Sequence, residues 1–169
     1  CKDYVPETTA AKVQGTLRKL RPDAAAALEE MFAAAKEEGV TLSTVSGYRS
    51  YSKQSLIYSR KVGRTGSEAE ADKLVARPGA SEHQLGLAMD VQCPDTLTLS
   101  SNFAQTDEGR WVEENAHRFG FIIRYKEEWT DITGYAYEPW HIRYVGTEHS
   151  LAMQQSGQCL EEYLGEVQQ

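Results

Sequence analysis

Apolar and polar residues follow helical spacing along residues 21–39, RPDAAAALEEMFAAAKEEG. The apolar side chains there recur three or four residues apart, and such spacing places them on one face of a helix. Pro22 at the start and Gly39 at the end are residue types typical of helix termini. The pattern therefore predicts a helix between these two residues, after a polar and irregular segment over residues 1–16.

Strand patterns recur in the rest of the chain. β-Branched residues alternate along VTLSTVSGYRS, residues 40–50, and predict a strand that ends at Gly47. Nearly unbroken apolar residues from Leu85 to Val91 predict a buried strand. Two further strands are expected close together, FIIRY at 121–125 and YEPWHIRYV at 137–145.

Helical spacing fills the intervals between these strands. It covers residues 50–63, 66–76 and 106–120, with one or two terminal helices over 148–165. Helices thus interleave with strands, but the close strand neighbours near the C-terminus favour an α+β fold over a doubly wound sheet. At 169 residues, the chain suits one domain over 1–169, and it holds no run of about 18 apolar residues that could span a bilayer.

Charge narrows the range of partners. The formal net charge is -7, whereas nucleic-acid binding depends on clustered Lys and Arg. The short basic stretches RKLR at 18–21 and SRKVGR at 59–64 are interpreted as solvated surface. We therefore expect no nucleic-acid partner.

Three cysteines, Cys1, Cys93 and Cys159, permit one disulfide and leave one thiol over. Their spacing matches no common zinc cluster, and the pairing stays open. Because the chain begins with Cys1 rather than Met, we expect a processed product. A lipid-acceptor role for Cys1 is an alternative, as is an anchor upstream of it.

Two short segments carry residues suited to chemistry. GASEHQLGLAMDV, residues 79–91, contains His83 and Asp90, and EPWH, residues 138–141, contains Glu138 and His141. Each residue alone has an ordinary structural explanation, such as a hydrogen-bonded core histidine or a turn-capping aspartate. Together, two histidines and a carboxylate make the three-ligand set of a catalytic zinc, and an unpaired Asp90 in an apolar strand would be costly without a cation.

These segments resemble a known family. SEHQLGLAMD fits S-x-H-x-x-G-x-A-x-D, YEPWHIRYVG fits E-x-W-H, and SGYRSYSKQ fits an upstream arginine-containing turn. Together they resemble the zinc D-alanyl-D-alanine carboxypeptidases of the VanY type, in peptidase family M15 with VanX and the L,D-carboxypeptidases as relatives. The resemblance extends from about Tyr4 to Leu164. It implies an α+β domain with a central, mostly antiparallel sheet flanked by helices, the VanY/VanX/Hedgehog-like zinc peptidase fold.

The resemblance also implies a role for each matching residue. His83, Asp90 and His141 would bind one Zn²⁺ per chain, Glu138 would be the catalytic base and acid, and Arg49 would stabilise the oxyanion. The residues expected near the substrate are Ser81, Gln54 and Trp140. The loops over residues 59–80 are expected to form the pocket for the penultimate residue.

The implied activity is removal of the C-terminal D-alanine from peptidoglycan stem peptides or their precursors, outside the cytoplasmic membrane of a bacterium. L,D specificity on tetrapeptide stems is the alternative within this chemistry. A peptidoglycan-binding module that keeps zinc and lacks catalysis is the alternative of another class, although Glu138 and Arg49 are both present. We expect a monomer without a protein partner.

Three other residues have side chains of types found in active sites. His117 and His149 are interpreted as structural and solvent-facing, respectively. Arg143 would share the strand face of His141, since it follows two residues later. It would either brace the site or pair with a surface acid.

Overall fold

The computed structural model describes residues 4–13, 18–96 and 98–165. Within these ranges the strands form two antiparallel sheets, one of two strands and one of four in the order β3-β4-β6-β5. The strands are β1 (Thr9–Ala10), β2 (Lys19–Leu20), β3 (Ser43–Ser46), β4 (Ala88–Gln92), β5 (Phe121–Tyr125) and β6 (Glu138–Tyr144).

Helices flank the larger sheet, as expected for the α+β fold. They are α1 (Pro22–Glu37), α2 (Tyr51–Thr65), α3 (Glu68–Asp72), α4 (Asp107–Asn115), α5 (Thr130–Thr133), α6 (Thr147–Ser156) and α7 (Leu160–Tyr163). Short 3₁₀ turns lie at Glu82–Leu85, Ser101–Gln105, Ala116–Phe119 and Glu127–Trp129.

Local sequence explains where the two longest helices begin and end. α1 has Pro22 in its first turn, where the missing N–H costs no hydrogen bond. α2 is capped by the Ser50 side chain, which accepts a hydrogen bond from the Lys53 backbone N–H, and it ends at Gly66 in the left-handed conformation. The cap sets the direction of α2 immediately after Arg49.

The hydrophobic core lies between α1 and the larger sheet. The apolar face predicted for residues 21–39 is the buried face of α1, with Leu28, Met31 and Ala35 all fully buried. Met89 and Val91 of β4 and residues of β5, β6 and α4 complete the cluster. β4 and β6 are the two inner strands of the sheet, so side chains on them have the firmest backbone support.

The predicted strand from Leu85 to Val91 is wrong at its start. Residues Glu82–Leu85 form a 3₁₀ turn that ends at Gly86, and β4 begins only at Ala88. Gly86 has φ +70, and a Cβ there would lie 3.2 Å from the Arg21 backbone nitrogen. The Gly86 carbonyl accepts a hydrogen bond from that same nitrogen at 2.8 Å. The apolar run is therefore divided by a turn that glycine permits.

The N-terminal prediction is also partly wrong. Thr9–Ala10 forms a strand paired with Lys19–Leu20, within the segment expected to be irregular. Residues 1–3 and 14–16 of that segment lie outside the described residues, as does Cys1. Cys93 and Cys159 are both free thiols. None of the helices in the described ranges combines the length and the apolar character needed to cross a membrane.

Candidate metal centre and active-site cavity

Two neighbouring strands and one turn bring the candidate ligands together. Asp90 of β4 and His141 of β6 are directly opposite each other in the antiparallel ladder. His83 belongs to the 3₁₀ turn that precedes β4. Residues separated by more than fifty positions in the sequence thus share one place at the centre of the sheet.

The three side chains present their ligand atoms to a common point. Asp90 Oδ1 lies 3.4 Å from His83 Nε2 and 3.2 Å from His141 Nδ1. One ligand atom from each residue falls within 4.8 Å of the others, and all three residues are buried. Among the residues that the structure describes, this is the group of His, Cys, Asp and Glu that could hold a metal ion.

The orientation of His83 is set by the backbone. Its Nδ1 lies 2.9 Å from the carbonyl oxygen of Gly47, at the end of β3. A carbonyl only accepts hydrogen bonds, so Nδ1 carries the proton and Nε2 keeps its lone pair. That lone pair faces Asp90, which is the arrangement of a metal-binding imidazole.

The charges at this point favour a cation. Burial raises the pKa of Asp90, but the two imidazoles outweigh it and hold the pKa of that carboxyl below its usual range. Burial disfavours the protonated form of His141, yet the nearby carboxylates of Asp90 and Glu82 outweigh it and raise the pKa of His141 to about 9. Within the described ranges, Asp90 Oδ1 has no hydrogen-bond donor although it is buried. The donor set therefore fits a divalent ion of the zinc type, which would replace the proton on His141 as the positive charge.

Glu138 lies beside these ligands without being one of the three. It is the first residue of β6, and its Oε2 lies 3.6 Å from His141 Nδ1. Burial is the main reason why the pKa of Glu138 is raised to about 7. A carboxyl group with such a pKa can both accept and donate a proton near neutral pH.

Arg49 projects into the site from the turn after β3. Its Nη2 donates to Asp90 Oδ2 at 3.0 Å and lies 2.9 Å from His83 Nε2. Nε donates to the Ser46 hydroxyl at 3.0 Å, and Nη1 donates to Gln54 Oε1 at 3.2 Å. The guanidinium is thus fixed in one orientation next to the ligand cluster.

The site opens into a cavity of about 550 Å³. All eight residues predicted for the site line this cavity, so the structure brings them together: Arg49, Gln54, Ser81, His83, Asp90, Glu138, Trp140 and His141. Residues from the predicted specificity segment 59–80 also contribute to its wall, including Lys61, Leu74 and Val75.

The three expected substrate-binding residues differ in how free their polar groups are. The amide of Gln54 is engaged at both ends, since it also donates to the Ala76 carbonyl at 2.8 Å. Gln54 therefore fixes Arg49 and residue 76 in place. Among the described residues, no hydrogen bond engages the Ser81 hydroxyl, and Trp140 is half-buried at the cavity wall. Direct contact of all three with substrate stays a prediction.

Sequence reasoning missed Glu82, which is also part of the cavity wall. Its Oε1 accepts hydrogen bonds from Arg143 Nη1 at 2.6 Å and from Arg124 Nε at 2.8 Å. Of the two roles left open for Arg143, the contact with this nearly buried carboxylate supports bracing of the site. An arginine in the apolar strand FIIRY was the sequence signal for a buried acidic partner.

The other two histidines lie away from the ligand cluster. The His117 carbonyl accepts a hydrogen bond from the Ser150 hydroxyl at 2.7 Å. His149 is exposed, as expected, and its Nδ1 lies 3.0 Å from the Tyr163 hydroxyl. Both contacts connect α6 to neighbouring elements.

Comparison with known proteins places this site in a family. Residues 17–147 match the family model described as VanY, D-alanyl-D-alanine carboxypeptidase. The putative carboxypeptidase YodJ of Bacillus subtilis (strain 168) is 48% identical over 151 residues, which cover 89% of this chain and 55% of YodJ. The chain spans about half the length of the curated relatives that it matches.

Two solved structures are similar over nearly the whole chain. The LD-carboxypeptidase LdcB has a TM-score of 0.91 and 43% identity, covering 99% of this chain and 82% of LdcB. A mutant of the vancomycin-resistance D,D-pentapeptidase VanY in complex with Zn(II) has a TM-score of 0.83 and 38% identity, covering 96% of this chain and 91% of that VanY chain. The sheet flanked by helices is thus the fold of VanY zinc peptidases. The chain belongs to the VanY family of D-alanyl-D-alanine carboxypeptidases.

Proposed function

We propose that the protein is a zinc carboxypeptidase that removes the C-terminal D-alanine from peptidoglycan stem peptides. The observation that carries this proposal is the placement of Glu138 Oε2 3.6 Å from His141 Nδ1, within a buried His83, Asp90 and His141 cluster. The Zn(II) complex of the similar VanY supports zinc as the ion, and the group of three ligands among the described residues supports one ion per chain.

The zinc ion would be held by His83 Nε2, Asp90 Oδ1 and His141 Nδ1. When bound, zinc supplies Lewis-acid polarisation of the scissile carbonyl and lowers the pKa of water. Glu138 accepts the proton from the attacking water and transfers it to the nitrogen of the departing D-alanine. Burial raises the pKa of Glu138, which favours its uptake of this proton.

Arg49 would stabilise the negative charge that develops on the carbonyl oxygen. Its contacts with Ser46, Gln54 and Asp90 hold the guanidinium in place before substrate arrives, so little reorganisation is needed. His83 Nε2 cannot bind a metal and accept a hydrogen bond from Arg49 with the same lone pair. With a metal held there, Arg49 would keep the hydrogen bond from Nη2 to Asp90 Oδ2.

The cavity also offers a position for a substrate carboxylate. Lys61 and Arg49 are the lysine and arginine of its wall, and Arg49 is already paired with Asp90. No ion pair engages Lys61 within the part of the chain that the structure describes. Lys61 and the unbonded Ser81 hydroxyl are therefore suited to a carboxylate and to the peptide backbone, respectively.

L,D specificity on tetrapeptide stems is the second candidate, and the similarity to LdcB favours it. The two activities share the centre at His83, Asp90, His141 and Glu138. They would differ where the penultimate residue sits, at the wall formed by residues 74–76 and 135–137. A wide pocket at this wall would admit the long diamino acid that is the penultimate residue of a tetrapeptide. A narrow pocket would restrict the penultimate residue to D-alanine.

Release of D-alanine from defined stem peptides tests the proposal. The purified chain, loaded with one equivalent of zinc, is incubated with a pentapeptide ending in D-Ala-D-Ala and with the matching tetrapeptide. Release from the pentapeptide supports D,D activity, and release from the tetrapeptide alone reassigns the chain as an L,D-carboxypeptidase. Binding of both peptides without release would identify a non-catalytic peptidoglycan-binding module and contradict the proposal.

The proposed substrate indicates a cellular location, and the composition of the site indicates an oligomeric state. Peptidoglycan lies outside the cytoplasmic membrane, so we propose that the protein acts in the cell envelope. All eight candidate site residues come from one chain, so a monomer suffices for the reaction. Size-exclusion chromatography with light scattering measures this directly.

A further inference from the structure

Glu82 stands next to a candidate ligand in the sequence but reaches a different one in space. It precedes His83 in the 3₁₀ turn, yet its side chain extends towards His141 of β6. The side chain is only 11% exposed, which is unusual for a carboxylate unless it has partners.

One oxygen of Glu82 is held by two arginines. Oε1 accepts from Arg143 Nη1 at 2.6 Å and from Arg124 Nε at 2.8 Å. Arg124 in turn donates to both oxygens of Glu161 in α7, at 3.0 Å and 2.5 Å. The two guanidinium groups keep Glu82 ionised and fix the plane of its carboxylate.

The second oxygen of Glu82 faces the imidazole of His141. Oε2 lies 3.5 Å from His141 Nε2, and both atoms are buried without a hydrogen-bond partner among the described residues. The other ring nitrogen, Nδ1, faces Asp90 Oδ1 at 3.2 Å. His141 thus lies between two carboxylates, one in the ligand cluster and one outside it.

We propose that Glu82 is a positioning residue for the metal centre, and this inference rests on the proposed zinc site. By attracting the His141 proton to Nε2, it leaves the lone pair of Nδ1 available to the metal. A carboxylate on the far nitrogen of a metal-binding histidine fixes the tautomer and ring orientation and increases the basicity of the ligand. Glu82 does not contact the substrate in this role.

The variant Glu82→Gln tests this role with little change of shape. Its amide oxygen still accepts from the two arginines, which leaves the amide nitrogen facing His141. That nitrogen donates a hydrogen bond to Nε2 and so favours the tautomer with the proton on Nδ1, the nitrogen needed for zinc. We expect the dissociation constant for zinc, measured by competition with a chromophoric chelator, to rise about 10- to 100-fold.

Glu161→Gln is the matched control. It weakens the same ion-pair network through Arg124 but leaves Glu82 and His141 unchanged, so its zinc dissociation constant should stay within about twofold of the wild-type value. Cobalt substitution adds a spectroscopic measurement, because the visible absorption of Co²⁺ reports its ligands. We expect a changed spectrum for Glu82→Gln and a wild-type spectrum for Glu161→Gln.

Thermal unfolding of the metal-free variants separates positioning from general stabilisation. An unchanged zinc affinity in Glu82→Gln overturns the inference. The inference is also overturned if Glu82→Gln and Glu161→Gln lose zinc affinity to the same extent, in proportion to their loss of stability. If Glu82→Gln fails to fold, Glu82→Asp is the second variant. It retains the charge but moves the carboxylate away from His141 by the length of one methylene. A wild-type zinc affinity in Glu82→Asp also overturns the inference. Failure of the proposed activity is distinguishable, because it would appear as zinc binding without release of D-alanine.

Discussion

Asp90 and His141 occupy directly opposed positions on the two inner strands of the sheet, β4 and β6. Their ligand atoms are 3.2 Å apart because of this pairing, and a shift of one residue in register would turn His141 to the other face. The register of these two strands is therefore a condition for the metal centre.

Removing the charge of Asp90 should remove the metal. Asp90→Asn keeps the shape of the side chain but lacks the anionic ligand. The affinity for zinc should therefore fall by more than about 100-fold, which exceeds the loss expected for a residue such as Glu82 that contacts a ligand and not the metal. Elemental analysis after equilibrium dialysis measures the bound zinc. His149→Gln, at an exposed position, should retain one zinc per chain. Retention of zinc by Asp90→Asn would contradict the assignment of the ligands.

Glu138 should be required for turnover and not for metal binding. Glu138→Gln removes the proton acceptor, and we expect kcat to fall about 10²- to 10⁴-fold. The zinc content should remain that of the wild type, since Glu138 is outside the three-ligand group. D-Alanine release at saturating peptide measures the first quantity and elemental analysis the second. Full activity in this variant would contradict the proposed proton transfer.

The geometry of Arg49 should matter more than its charge. Lysine retains the charge but cannot make the separate contacts to Ser46, Gln54 and Asp90 that fix the guanidinium. We expect Arg49→Lys to lower kcat about 10²- to 10³-fold, as for the loss of one oxyanion donor, with a smaller change in KM. Arg60→Lys, at an exposed position of α2, provides the control and should leave kcat and KM unchanged. Equal activity of the two variants would argue against the role of Arg49.

Two glycines in helices should respond oppositely to alanine. A Cβ on Gly109 in α4 would lie 1.9 Å from the Phe103 carbonyl oxygen, whereas a Cβ on Gly63 in α2 would meet nothing within 4 Å. Gly109→Ala should lower the free energy of unfolding by about 3 kcal/mol or prevent folding. Gly63→Ala should raise it by about 0.5–1 kcal/mol. Urea denaturation measures both, and a tolerated Gly109→Ala would contradict this packing.

The ion pair between Glu161 and Arg124 should give a pH-dependent contribution to stability. Burial raises the pKa of Glu161, but the hydrogen bonds from Arg124 outweigh it and lower the pKa overall. The contribution is therefore present above the unfolded value of about 4.3 and is lost as pH falls through the lower folded pKa. Glu161→Gln should be about 1 kcal/mol less stable than wild type at pH 7, and the difference should shrink progressively as the pH falls below about 4. A constant difference between pH 7 and pH 3 would contradict this origin.

The ligand residues could be predicted from the sequence because their types are rare in apolar segments. His83 and Asp90 stand out in GLAMDV and its preceding turn, and EPWH supplies the third ligand. Their common position depends on the pairing of β4 with β6, which no local pattern reveals. The order β3-β4-β6-β5 places the last strand of the sheet beside the second, and this order is a property of the whole chain.

Glu82 was missed because an acidic residue in a turn usually faces solvent. Its partners, Arg124 and Arg143, come from two later strands, so its burial follows only from the assembled sheet. The start of β4 was misplaced for a related reason. Gly86 adopts a left-handed conformation and its carbonyl accepts a hydrogen bond from Arg21, which lies 65 positions earlier in the chain.

The support of His83 by the Gly47 carbonyl has a consequence for the order of events in maturation. The imidazole of His83 is oriented by the backbone, and Asp90 and His141 are oriented by strand pairing, so each ligand has support from the protein itself. Zinc fingers differ in this respect, because there the metal supplies the folding free energy. Zinc that enters this site would exchange its own bound water for the three protein ligands. We expect the chain to be folded before that exchange. A chelator should therefore abolish hydrolysis while the far-ultraviolet circular dichroism stays unchanged.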